Sequence, residues 1–198
     1  MLGNFAPNWQ IGPVTLWLRP YAVDHQLSCQ QLAQYLLGDY LGCPHTAVAF
    51  SRDTFGRPQV HAPHPGCDAN WSHSGGYFLL GLHLENRLGV DIEQLAPRHR
   101  CLEIAERYFH PSEAEQLAHV PRAQRCTLFY RLWCAKEAVL KAEGRGIAFG
   151  LHKLAFVFTE HGLHLSYCAP SLGKISGWKV HELAPLSGFH AAIAYRTD

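Results

Sequence analysis

The sequence has little lysine, no excess of either charge and no long apolar run, and each shortage excludes a class of protein. Lysine appears five times against twelve arginines, and the formal net charge is only +1 with a pI near 7.7. A general nucleic-acid binder would show a basic stripe, so nucleic acid is not an expected partner. An uninterrupted apolar stretch long enough to span a bilayer is missing, so no membrane segment is expected. The opening MLGNFAPNWQIGP lacks a charged stretch followed by an apolar one. It therefore predicts no secretion signal and a cytoplasmic protein. The seven cysteines are odd in number and contain no CxxC pair, which points to free thiols in a reducing compartment. Histidine is abundant, at 14, but the one metal-like spacing, His61, His64 and Cys67, falls in a Pro/Gly-rich stretch with nothing to fix it, so a zinc site is not expected there.

What is present is an apolar content of 47% over 198 residues, enough for a real core in one large domain or two small ones. Two segments stand out. The first is LGVDIE, residues 88–93. In a strand, alternate side chains share a face, so Asp91 and Glu93 point one way while Val90 and Ile92 point into a core. The second is WCAKEAVLK, residues 133–141. In a helix, Trp133, Glu137 and Lys141 fall on one stripe. Two carboxylates on a strand facing a third on a helix, beside Lys136 and Lys141, suit Mg²⁺ and a polyphosphate, because the hard cation shares its oxygen ligands between protein and phosphate. A chain that otherwise prefers arginine places two of its five lysines here, where a compact ammonium serves.

The rest of the chain reads as alternating elements. Strands are expected at 14–21, 47–51, 70–74, 77–84 and 87–93, with a helix at 25–41 and a loop from 52 to 69. Residues 77–84 and 87–93, separated by Glu85-Asn86, read as a hairpin. Helices follow at 99–109, 110–120 with Ser112 as N-cap, and 122–143 closed by Gly144 and Gly146. Strands are then expected at 154–160, 163–168, 177–183 and 188–196. On the longest helix, Leu128, Leu132, Ala135 and Val139 should pack on a sheet, with Tyr130, Trp133, Glu137 and Lys141 on the opposite side. The expected class is α+β, with two α/β subdomains, 1–95 and 96–198, and a ligand cleft between them.

Each motif alone has an ordinary explanation. Asp91 and Glu93 could be solvated acids at a strand end. Glu137 and Lys141 could be a surface ion pair. Gly56-Arg57-Pro58 could be a turn, and Gly144-Arg145-Gly146 a helix stop. Ser72 and His73 are adjacent on a strand and face opposite ways, which argues against a nucleophile–base pair and for separate contacts to phosphate. Their order and joint occurrence are what carry weight. FGRP (55–58), NWSHSG (70–75), LGVDIE (88–93), RYFHPSEAEQL (107–117) and FYRLWCAKEAVLKAEGRGI (129–147) resemble the 4′-phosphopantetheinyl transferases of the large monomeric, surfactin-synthetase-activating type. The resemblance covers most of residues 50–150, and its last motif, WxxKExxxKxxGxG, is highly specific.

The resemblance implies a monomer of two similar subdomains related by a pseudo-twofold. It implies transfer of the phosphopantetheine arm of coenzyme A to a serine of an apo acyl or peptidyl carrier protein, with release of 3′,5′-ADP. By carry-over, Asp91, Glu93 and Glu137 would hold Mg²⁺, with Mn²⁺ as an alternative. Ser72, His73 and Asp91 would meet the coenzyme, Arg57 would lie near its 3′-phosphate, and Lys136 and Lys141 would neutralise the pyrophosphate. Glu113 is a candidate base for the carrier serine, as is Glu137, and Lys141 could assist the leaving phosphate. The sequence departs from the family in the first helix, DHQLSCQQLAQYLLGDYLG (24–42), which has no Lys or Arg; Arg19, Arg52, Arg57 or His25 would have to substitute. Residues 144–153 (GRGIAFGLHK) offer Arg145, Ile147, Phe149, His152 and Lys153 to an acidic carrier. The alternatives are a non-catalytic coenzyme A- or carrier-binding protein of the same fold, and a metal-dependent nucleotide hydrolase.

Overall fold

A computed structural model describes residues 6–21 and 27–197. In chain order the strands and helices are β1 (Trp9–Ile11), β2 (Val14–Pro20), α1 (Cys29–Leu41), β3 (Ala49–Arg52), β4 (Pro58–Ala62), β5 (Asp68–Ser74), β6 (Tyr77–His83), β7 (Leu88–Gln94), α2 (Cys101–Tyr108), α3 (Pro111–His119), α4 (Arg122–Glu143), β8 (Leu154–Thr159), β9 (Gly162–Cys168), β10 (Trp178–Leu183) and β11 (Phe189–Arg196). The fold is mixed α/β. A four-stranded antiparallel sheet runs β1-β2-β6-β5, and a three-stranded one runs β10-β11-β7. The hairpins β3-β4 and β8-β9 complete the strands.

Three apolar layers follow from the alternation of these strands. Trp17, Leu36, Leu37, Phe78 and Leu80 pack α1 onto one face of the first sheet. Val14, Leu16, Leu79, Leu88, Val90, Ile92 and Ile193 fill the space between the two large sheets. Phe129, Leu132, Val139, Leu154 and Phe156 surround α4. On β7, then, Leu88, Val90 and Ile92 enter the core between sheets, and Gly89, Asp91 and Glu93 face the other way, toward α4.

Several sequence expectations are corrected. The stretch after Arg57 is not loop throughout, because Pro58–Ala62 pairs with Ala49–Arg52. The expected β6–β7 hairpin does not form: β6 pairs with β2 and β5, and β7 pairs with β11, with Asp91 opposite Ala192. The Leu88 and Val90 N–H groups instead donate to the side chains of Asp68 and Asn70 on β5, at 2.8 and 2.9 Å. Helix α3 is capped by His110 rather than Ser112. The imidazole of His110 accepts from Ser112 N, and Glu113 accepts from His110 N. Helix α1 begins at Cys29 under a Ser28–Gln31 capping box; the predicted residues 25 and 26 lie outside the described chain.

Helix α4 has the predicted bounds but another orientation. The side laid on the sheet carries Cys134, Ala138, Lys141 and Ala142. A Cβ on Gly89 would sit 2.0 Å from Ala138 O and 2.5 Å from Ala142 N, and Cys134 lies against His190 O. Small residues on helix and strand permit this approach. Ala135 and Val139 belong to the same buried cluster as Leu151, Leu154 and Phe156. The Glu137–Lys141 stripe therefore lies against β7, with the carboxylates of that strand.

Candidate active site

The close contact of Gly89 with α4 brings Lys141 to Asp91. Lys141 Nζ donates to Asp91 Oδ1 at 2.7 Å, to Ser72 Oγ at 3.0 Å and to Val90 O at 3.2 Å. Ser72 Oγ donates to the same Asp91 Oδ1 at 2.9 Å. The other oxygen, Asp91 Oδ2, is buried and has no hydrogen-bond partner among the described residues. One step along β7, Glu93 accepts from Ser74 Oγ at 3.0 Å. One turn back on α4, Glu137 is 5% exposed.

The electrostatics are those of acids held too close together. Burial raises the Glu137 carboxyl to about 7, with repulsion from Asp91 and then Glu93 adding to the shift and Lys141 opposing it. Burial and Asp91 also raise Glu93. Lys141 loses solvation on burial, but Asp91 and Glu137 outweigh that loss and raise its pKa. An orphaned carboxylate oxygen beside two destabilised acids is the donor set that a hard divalent cation would complete. Among the described residues no three His, Cys, Asp or Glu side chains enclose a cation by themselves. The arrangement fits Mg²⁺, which keeps water and substrate phosphate among its ligands instead of taking a full protein cage.

A cleft of about 250 Å³ opens beside this cluster, with Arg52, Phe55, Asn70, Trp71, Lys141 and Gly146 in its wall. The β3–β4 turn forms one side, β5 the floor and the end of α4 the other side. Phe55 at its mouth is 66% exposed. Arg145 lies over the rings of Phe55 and Phe149, at 5.9 and 4.9 Å, and Lys153 lies 3.8 Å from the Phe149 centroid. Phe149 is thus half-buried between cations, whereas Ile147 is 49% exposed.

Not every predicted residue reaches the cleft as expected. Asp91, Glu93, Glu137, Lys141 and Ser72 come together. His73 faces the other side of β5, exposed and 5.8 Å from the Tyr21 ring. Arg57 borders the cleft but is buried, and all five of its N–H groups are taken: by both oxygens of Asp68, by Leu88 O, by Pro58 O and by Lys141 O. It has no donor left for a 3′-phosphate, so that assignment is corrected to a structural clamp. Lys136 and Glu113 are 0% exposed and paired at 2.6 Å. Lys136 also donates to Leu151 O and Leu154 O, and Glu113 accepts from Phe156 N and His110 N. Neither a pyrophosphate nor a carrier serine can reach them; they tie α3 and α4 to β8. Of the other basic substitutes, Arg19 donates to Asn8 and Ala6, and His25 lies outside the described residues. Arg52 stands in the cleft wall, its guanidinium donating to Gly56 O at 2.7 Å.

Sequence reasoning named Ser72, and Arg52 as one of four possible substitutes, but missed Trp71 and the residues that alternate with Ser72 along β5, namely Asp68, Asn70 and Ser74. The period of two on β5 was the available signal for the series.

Residues 87–194 match the 4′-phosphopantetheinyl transferase superfamily. The chain is 34% identical over 187 residues to the putative 4′-phosphopantetheinyl transferase slr0495 of Synechocystis, an alignment covering 91% of this chain and 75% of that one. It is 33% identical to the 4′-phosphopantetheinyl transferase HetI of Nostoc, covering 80% of this chain and 65% of that one. It is 30% identical to the 4′-phosphopantetheinyl transferase Sfp of Bacillus subtilis, covering 74% and 62%. The chain thus spans three quarters of the first relative's length and less than two thirds of the other two.

Proposed function

This chain belongs to the 4′-phosphopantetheinyl transferase superfamily, and we propose that it moves the phosphopantetheine arm of coenzyme A onto a serine of an apo carrier protein, releasing 3′,5′-ADP. The observation that carries the proposal is the meeting of Asp91, Glu137 and Lys141, with Asp91 Oδ2 left without a partner, beside an open cleft. Asp91, Glu93 and Glu137 would hold a divalent cation, Mg²⁺ or Mn²⁺. When bound, that cation would neutralise the pyrophosphate and stabilise the departing nucleotide.

The chain's own residues do the positioning that phosphoryl transfer chiefly requires. Lys141 holds Asp91 Oδ1 and brings a fixed positive charge to the cleft wall. Ser72 orients the same carboxylate. Arg52 is our candidate for the coenzyme's 3′-phosphate in place of a basic first helix, and Trp71 offers a ring beside it. Glu137, at about 7, lies in the range suited to accept a serine proton at neutral pH, which makes it the candidate base wherever it is not committed to the cation. His73 faces away from Asp91, so any contact it makes with the coenzyme would be with the nucleotide end.

The finer architecture belongs to the same reading. Two related subdomains, 1–95 and 96–198, are supported by the two separate antiparallel sheets. Strand β7 belongs to the first half by sequence and to the second sheet by hydrogen bonding. The carrier would dock on 144–153, where exposed Ile147 lies beside Arg145 and His152. A monomer acting in the cytoplasm completes the proposal; among the described residues no helix is long and apolar enough to cross a membrane.

Mass spectrometry of a panel of apo carriers incubated with the protein, coenzyme A and Mg²⁺ tests the reaction. The expected product is ~340 Da heavier, the mass of the arm moved by phosphoryl transfer, and chelation abolishes it. An unmodified panel that nevertheless binds would leave a non-catalytic binding protein. Release of 3′,5′-ADP without any carrier would make the chain a hydrolase.

A further inference from the structure

Outside the active site, two cysteines 25 residues apart in sequence meet. Cys101 is the first residue of α2, and Cys126 lies in the second turn of α4. Their sulfurs are 2.6 Å apart, only about 0.6 Å beyond the length of a covalent S–S bond. Each also donates to the same acceptor, Arg98 O, at 2.9 Å. Among the described residues the other five cysteines, 29, 43, 67, 134 and 168, make no sulfur–sulfur contact. A cavity of about 440 Å³ opens beside the pair, with Arg98, His99, Arg122 and Arg125 in its wall. Cys126 is half-buried and Cys101 is buried.

We infer that Cys101 and Cys126 are an oxidant-responsive modification site, closing into a disulfide that joins the start of α2 to α4. The oxidant is a peroxide. Cys126, the more accessible sulfur, attacks hydrogen peroxide, becomes a sulfenic acid and releases one water. The Cys101 sulfur then attacks the Cys126 sulfur. The sulfenic oxygen leaves with the Cys101 proton as a second water, so two thiols have given two electrons to one peroxide. Burial first, and then the neighbouring Cys126, push the Cys101 thiol up to about 12 in the reduced protein, against the pull of Arg98. Oxidation of Cys126 to a neutral sulfenic acid removes the charge of a Cys126 thiolate from beside Cys101, while burial, the larger cause, still opposes ionisation of Cys101. Closure also withdraws both thiol donors from Arg98 O.

The test is non-reducing peptide mapping of the full chain after hydrogen peroxide treatment, with N-ethylmaleimide alkylation in denaturant. The expected result is a linked Cys101–Cys126 peptide reversed by dithiothreitol, with the other five cysteines alkylated. In Cys101→Ser, a dimedone adduct should accumulate on Cys126. Alkylation of both thiols after oxidation, or linkage of either to another cysteine, would overturn the inference. The wild-type map decides the matter by itself if the serine variant fails to fold.

Discussion

Glu137 is costly to keep ionised, because burial and Asp91 raise it from 4.5 to about 7. The folded protein holds that proton between these values and the unfolded chain does not. The carboxyl's contribution to stability is therefore full below about 4.5 and is lost as pH rises through about 7. Glu137→Gln should consequently raise the unfolding free energy of the cation-free protein at pH 8 by up to about 3 kcal/mol, with little change at pH 4.5. Urea titrations at the two pH values check this. Carrier modification by the same variant should fall by roughly 100-fold or more. A variant both active and no more stable would refute the assignment. Arg57 and Arg52 make the complementary pair. Arg57→Lys cannot reproduce five fixed donors, and it loosens the partner of buried Asp68, so stability should drop by roughly 3–5 kcal/mol while the KM for coenzyme A stays within twofold in the protein that remains folded. Arg52→Ala should do the reverse, with an unchanged melting temperature and a KM raised several-fold. Here the sequence misled for a physical reason. It displays a charge but not the groups that already consume it, and Arg57 is bound by acceptors from residue 58 to residue 141.

At the scale of elements, period and spacing made β7 and α4 legible, and with them the acids at 91, 93 and 137. The two lysines illustrate the limit. Lys136 and Glu137 are neighbours in sequence, but a helix turns about 100° per residue, so Glu137 faces β7 while Lys136 faces Glu113 on α3. Which side of α4 meets the sheet was not readable from apolar spacing, because the helix is buried on nearly every side from Phe129 to Ala142. Gly89 decides it, and its role is visible only once strand and helix are in contact. Gly89→Ala would place a Cβ 2.0 Å from Ala138 O and 2.5 Å from Ala142 N, two backbone atoms that cannot swing aside. The helix must back off, at a cost of roughly 1–3 kcal/mol, and Lys141 must withdraw from Asp91. The melting temperature and kcat should fall together. A fully active Gly89→Ala protein would mean that the β7–α4 spacing does not set the site.

Across the whole molecule, the two large sheets meet at β5 and β7 without a strand ladder. Asp68, Asn70 and Ser74 accept the N–H groups of Leu88, Val90 and Gln94 at 2.8, 2.9 and 3.1 Å, so side chains do what a neighbouring backbone does elsewhere. Ser72, at the one remaining position of the series, binds Asp91 instead. The join between the sheets and the floor of the cleft are thus the same strand. This is why a four-residue connection that reads as a hairpin in sequence is not one, and why β7 is free to pair with β11 about a hundred residues later. If the side-chain seam couples the sheets, Asn70→Leu, which leaves the buried Val90 N–H without an acceptor, should cost roughly 1–3 kcal/mol and also split the unfolding transition. Trp17 lies in the layer under the first sheet, and Trp178 lies in the core around α4. With either tryptophan alone retained as the fluorophore, Asn70→Leu should give two urea midpoints where the parent gives one. Coincident midpoints in the variant would show that the inter-sheet core of Leu79, Val90 and Ile193 couples the sheets by itself, with the polar seam serving only to shape the cleft.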